Sequence, residues 1–298
     1  MIAIYIKGLL IGSVSIIPGV SGGTLALILG IYYKIIYSSA NLIKLKRIKE
    51  NTIFLVILSI GILTSSTILA KIFKSYILDQ VTREIYLNAL FIGLTTGSIF
   101  TLKKEINIQK KINKNQATTT YLLFLTGFLT LPFLLILRNY NISLDIVTYQ
   151  NKTSIKYYLL IAGSGAISGC AMILPGISGS LILLSLGTYK EIINIISQFN
   201  IMPCIIFGIS TIIGISITIL IIKKTIDKHL VKFLYLSTGL ILGSIIQMLL
   251  IIIKLNAKPT LMLNLFSIFL FIIGTYINRK IENRKNKNFE TLNTENRT

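Results

Sequence analysis

Long apolar runs alternate along the chain with short polar connections that are mostly basic. Residues 53–70, 85–102, 118–137, 201–222, 233–253 and 260–277 each form an apolar run containing no Asp, Glu, Lys or Arg. About 20 helical residues cross the hydrocarbon of a bilayer, so each run predicts one transmembrane helix. Two further apolar regions, 2–36 and 157–196, are too long for one crossing and are interrupted in the middle. The first interruption reads Pro18-Gly19-Val20-Ser21-Gly22-Gly23 and the second Pro175-Gly176-Ile177-Ser178-Gly179-Ser180. Proline removes an amide donor and glycine tolerates positive φ, so both stretches should break a helix and turn the chain. Irregular backbone at membrane depth survives only where protein or a water-filled cavity surrounds it. Each region is therefore expected to be a re-entrant hairpin with its tip inside the membrane.

The two interruptions belong to an internal duplication. At one fixed offset Gly12 matches Gly169, Gly30 matches Gly187, Tyr32 matches Tyr189, and Ile35-Ile36 match Ile192-Ile193. The expected fold is an all-α polytopic membrane protein built from two repeats, each a hairpin followed by three spans. Residues 1–140 form the first repeat, with its hairpin at 2–36 and spans at 53–70, 85–102 and 118–137. Residues 141–156 connect the repeats. Residues 157–278 form the second, with its hairpin at 157–196 and spans at 201–222, 233–253 and 260–277. Residues 279–298 are a basic tail expected to end disordered. The Gly93-x-x-x-Gly97 and Gly239-x-x-x-Gly243 spacings predict close helix packing rather than ligand contact.

Composition sharpens this reading. Of 298 residues, 53% are hydrophobic and 13% charged, and the mean hydropathy of +0.77 fits a membrane protein rather than a soluble domain. The formal net charge is +20. Its lysines and arginines lie in short loops, which fits anionic membrane lipids and argues against nucleic acid. If both hairpins are re-entrant, 19 Lys/Arg residues fall on one face of the membrane and 9 on the other. The positive-inside rule then places both termini in the cytoplasm. Three spans per repeat is an odd number, so the repeats are expected to be inverted relative to each other. Cys170 and Cys204 read as small apolar residues and His229 as a solvated loop residue, so no metal site or cofactor is expected.

In each hairpin the returning helix starts at the tip, where its first amides have no intrahelical partner. Pro18, Gly19, Ser21, Gly22, Gly23 and Thr24 make one such start, and Pro175, Gly176, Ser178, Gly179 and Ser180 the other. Small residues let an anion approach the amides, and the hydroxyls add donors. Inverted repeats would bring both starts to the midplane, where transporters bind anionic substrates. Lys7, Lys34, Arg83, Arg138 and Lys190 are candidate cationic partners, although snorkelling to the interface accounts for each singly. No acidic pair lies in an apolar run, so no catalytic residue is assigned.

The stretches I-P-G-V-S-G-G-T-L-A and C-A-M-I-L-P-G-I-S-G-S resemble a bacterial polytopic family of polyprenyl-phosphate translocases, over essentially the whole chain apart from its tail. The resemblance implies a carrier that moves undecaprenyl phosphate, or a similar lipid, across the cytoplasmic membrane for reuse in envelope synthesis. It also implies that Pro18 to Thr24 and Pro175 to Ser180 hold the phosphate. Ser15 stands where members of that family usually carry an acidic residue, so any proton coupling would need another group. Two other functions use the same helix ends. One is a channel or transporter for a small soluble anion. The other is a polyprenyl-diphosphate phosphatase, whose re-entrant loop resembles P-G-x-S-R-S; this chain has Gly22 and Gly179 at the arginine position.

Overall fold

The apolar runs fold as helices throughout. The computed structural model describes residues 1–15, 21–72, 81–112, 117–139, 154–198, 200–254 and 260–295. Helices α1 (Ile2–Ser15), α2 (Gly22–Ile28) and α3 (Tyr32–Ile43) come first, followed by α4 (Ile48–Ile72), α5 (Val81–Ile112) and α6 (Ala117–Asn139). Then come α7 (Ile155–Ile173), α8 (Gly179–Ser185), α9 (Tyr189–Ser197), α10 (Ile201–Lys254) and α11 (Leu261–Glu295). Among the described residues, five helices are long and apolar enough to cross a membrane: α4, α5, α7, α10 and α11. The chain is thus an all-α, multi-pass membrane protein. Rows of large apolar side chains such as Ile60, Leu63, Ile209, Ile213 and Phe269 stay exposed, as lipid contact requires.

Three expectations need correction. The returning arm read as one apolar segment up to Ile36 is divided at Gly30, where α2 and α3 meet at 114°. Gly30 has φ 68°, which no branched residue adopts without strain, and the chain leaves α2 through paired hydrogen bonds. Gly30 N donates to Leu27 O and Ile31 N to Ala26 O, the Schellman ending. The second hairpin repeats this at Gly187 (φ 74°), with 117° between α8 and α9.

The second correction concerns residues 223–232, read as a basic loop around His229. They are helical apart from His229 itself, whose φ −143° and ψ 49° kink α10 into two arms. Unbroken, 54 residues would extend about 80 Å, more than twice the hydrocarbon thickness, so the kink makes two shorter arms. Third, α11 continues to Glu295 through the tail expected to be disordered. No Gly or Pro follows Gly274 in that stretch, so nothing in the backbone stops the helix.

Helix pairing is reciprocal between the halves. α1 packs on α4, and α7 on the first arm of α10; α5 packs on α11, and α6 on the second arm of α10. Small residues make these approaches possible. A Cβ on Gly93 would lie 2.2 Å from the Phe271 carbonyl oxygen, and one on Gly239 would lie 2.2 Å from that of Phe124. Both small-xxx-small spacings are therefore helix contacts. The main apolar cluster surrounds the α2–α3 bend, where Leu29, Tyr32 and Ile36 meet Phe54 of α4, Phe91 of α5, and Ile219 and Phe233 of α10.

Candidate functional site

The second interruption is described in full. α7 ends at Ile173, Leu174 turns to extended backbone (ψ 131°), Gly176 takes φ 90°, and α8 starts after Ser178. In the first, residues 16–20, including Pro18 and Gly19, lie outside the described residues, and the chain resumes at Ser21. Ser21 and Ser178 are N-caps with the same extended backbone, and neither hydroxyl accepts from an amide of its own helix. The first-turn amides of α2 and α8 are therefore left uncapped by their own N-cap side chains. With only seven residues per helix, these amides rather than a long dipole set the local field.

The two interruptions touch. The Gly176 amide donates to Thr24 Oγ1 at 2.8 Å. The Ser21 hydroxyl donates to the Leu174 carbonyl at 3.4 Å, and the Tyr32 hydroxyl to the Ile173 carbonyl at 3.0 Å. These last two bonds cover carbonyls at the C-terminal end of α7, which would otherwise set negative partial charge beside an anion site. Ser21 and Thr24 are almost fully buried in this contact. Replacing Thr24 with valine should leave the buried Gly176 amide unpaired, at a cost of about 1–3 kcal/mol. Thermal unfolding in detergent should show a lower Tm for Thr24→Val and little change for Thr24→Ser. An unchanged Tm in Thr24→Val would mean that the contact does not hold the two halves.

Beside the contact lies a cavity of about 570 Å³. Gly22 and Gly23 from the first interruption and Ser178, Gly179 and Ser180 from the second line it together. Ser178 and Ser180 share a 2.8 Å hydroxyl contact there. Five of the expected site residues thus meet at one cavity, while Ser21, Thr24 and Gly176 form the joint beside it. Pro175 sits within that joint's loop. The rest of the wall is apolar, built from Ile11, Ile35, Ile36, Leu55, Leu58, Ile62, Met172 and Ile215, with Tyr32 and Ser59. Sequence reasoning did not find the α4 wall or the carbonyl-covering role of Tyr32. The duplicated Tyr32–Tyr189 pair was the available signal for the latter. Among the described residues that line it, none is Lys, Arg, Asp or Glu. Among the described residues, no group of three or more His, Cys, Asp or Glu is placed to hold a metal ion.

Residues 11–262 match the protein family "VCA0040-like: Undecaprenyl phosphate translocase-like". The chain belongs to this translocase-like family. It is 32% identical over 253 residues to a polyprenyl-phosphate transporter of Vibrio cholerae, covering 81% of this chain and 75% of that one. A polyprenyl-phosphate transporter of Staphylococcus aureus is 29% identical over 277 residues, covering 90% and 92%. These names denote transporters, not enzymes. No solved structure matches the translocase-like chain. The family match spans the second interruption and all but the first nine residues of the first hairpin, so both walls of the cavity lie within it.

Proposed function

We propose that the protein carries undecaprenyl phosphate or a similar polyprenyl phosphate across the bacterial cytoplasmic membrane for reuse in envelope synthesis. The observation that carries this reading is the cavity where both interruptions start a helix against one apolar wall. A phosphate monoester faces a large desolvation barrier in hydrocarbon, whereas its polyprenyl tail is at home there. Uncapped amides of Gly22, Gly23, Gly179 and Ser180, with the Ser178 and Ser180 hydroxyls, replace water around the head group. The apolar wall of α1, α3 and α4 receives the first tail carbons, and the rest of the tail stays in lipid. Neutral donors bind the head group while still allowing release. Ser21, Thr24, Pro175 and Gly176 shape and join the two starts. An apolar wall of this extent favours a lipid over a small soluble anion.

Within this reading the two repeats are inverted, each with a re-entrant hairpin and three spans, and both termini are cytoplasmic. The 19-to-9 division of basic residues supports that orientation. Cysteine labelling at Asn113 and Thr148 should report opposite faces, and labelling of both from one side would rule the inversion out.

Purified protein in liposomes should translocate a polyprenyl monophosphate and release no inorganic phosphate from the diphosphate. Hydrolysis needs a positioned nucleophile with a base beside it. Among the described residues that line the cavity there is no His, Asp or Glu to accept a proton from its serines. Absence of translocation would overturn the carrier reading. Diphosphate hydrolysis lost in Ser178→Ala would replace it with a phosphatase.

A further inference from the structure

Two lysines stand beside the cavity, next to residues that line it. Lys7 lies on α1 one helical turn before the lining residue Ile11; it is partly buried and its Nζ donates to the Leu29 carbonyl at 3.1 Å. Lys34 precedes the lining residues Ile35 and Ile36, and its Nζ stands 4.7 Å from the centre of the Phe54 ring. Phe54 in turn precedes the lining residue Leu55. Leu29, which accepts from Lys7, ends α2, and Lys34 lies in the first turn of α3, so the two lysines neighbour the same bend. Among the described residues no acidic side chain forms an ion pair with either.

A carbonyl and a ring face offer only partial negative charge. Snorkelling explains one lysine reaching the interface, but it does not bring two to the same rim, where they repel. The arrangement is short of an anion. Nor is it a requirement of the repeated fold. In the register of the duplication Lys7 corresponds to Ser164 and Lys34 to Glu191, and Glu191 is buried, accepting the Tyr157 hydroxyl at 2.7 Å. One repeat has a basic rim; the other has a buried carboxylate.

We propose that Lys7 and Lys34 form a phosphate-holding station at the rim, which takes the phosphomonoester head group between the neutral tips and the membrane surface. The inference rests on the lipid-phosphate reading of the same cavity. A phosphomonoester carries close to two negative charges at neutral pH, and two ammonium groups match them. The head group passes from amide and hydroxyl donors, which hold it without full charge, to a cationic pair nearer water.

The test is translocation of a short-chain polyprenyl monophosphate in phosphatidylcholine liposomes, where no other anionic lipid competes. The Lys7→Gln/Lys34→Gln protein should need about tenfold more substrate for half-maximal rate, the scale of a lost charge-assisted contact. Lys7→Arg/Lys34→Arg should restore the wild-type value. Lys34→Gln alone changes an exposed side chain, keeps the fold, and should give part of the effect. Added inorganic phosphate distinguishes the source of the anion. Lysine-dependent competition means that the station reads phosphate itself; a lysine effect without competition means that it reads the head group only on its tail. Either supports the station. Wild-type translocation with unchanged concentration dependence in Lys34→Gln and in the double glutamine variant would overturn it. No translocation by wild-type protein would instead defeat the carrier reading on which it rests.

Discussion

Gly23→Leu is expected to reduce translocation to background in a protein that still inserts and folds. A Cβ at this position would meet the Ile173 and Leu174 carbonyl oxygens and Ser21 Oγ, each at 3.4 Å, which is ordinary contact. Gly23→Ala should therefore fold and retain most activity. The three further carbons of leucine have no such room. They must wedge the two interruptions apart or enter the 570 Å³ cavity, where they cover the amides of α2 and displace the head group. A site built to hydrogen-bond an anion loses most when its donors are blocked rather than reshaped. Transport by Gly23→Leu at the wild-type rate would reduce the duplicated interruptions to packing devices. Monodisperse elution in detergent separates this result from misfolding.

Gly176→Ala should act on stability instead. Gly176 holds φ 90°, and an added Cβ would sit 2.7 Å from the Leu240 carbonyl carbon, 2.8 Å from its oxygen and 2.9 Å from the Ile241 nitrogen. All three are backbone atoms of α10 and cannot swing aside. Left-handed strain and overpacking together should cost about 3 kcal/mol or more. That is a large fraction of a typical folding free energy, so the variant should unfold at markedly lower temperature or fail to accumulate. Gly163→Ala is the control, because a Cβ there meets nothing within 4 Å. A Gly176→Ala protein as stable as wild type would show that the second interruption tolerates another path past α10.

Several features were legible because they are local. Charge-free runs long enough to span a bilayer, Pro-Gly breaks within them and the aligned glycines and tyrosines at one offset all depend on neighbours in the chain. The pairing of Gly30 with Gly187 marked equivalent positions, but a glycine inside an apolar run reads equally well as a tolerated helix residue. Its φ of 68° and the 114° bend were decided when α3 buried Tyr32 and Ile36 against α4 and α10. The kink at His229 was hidden for a similar reason. Polar residues between spans suggest a loop, while helix propensity carries the chain on to one irregular residue.

The site divides along the same line. Sequence by itself determined which residues open α2 and α8 and that small, hydroxylated side chains stand there. Only the tertiary structure decided which of them face a cavity and which join the halves. Thr24 meets Gly176, and Tyr32 and Ser21 cover the end of α7, across more than a hundred residues of chain. The wall from Leu55, Leu58 and Ile62 is likewise ordinary helix sequence that becomes one side of a cavity by its position beside α1 and α3. Hydrophobic periodicity and turn chemistry act over a few residues; a cavity lined by residues from Ile11 to Ile215 arises from the crossing of helices distant in the chain, which no local pattern encodes.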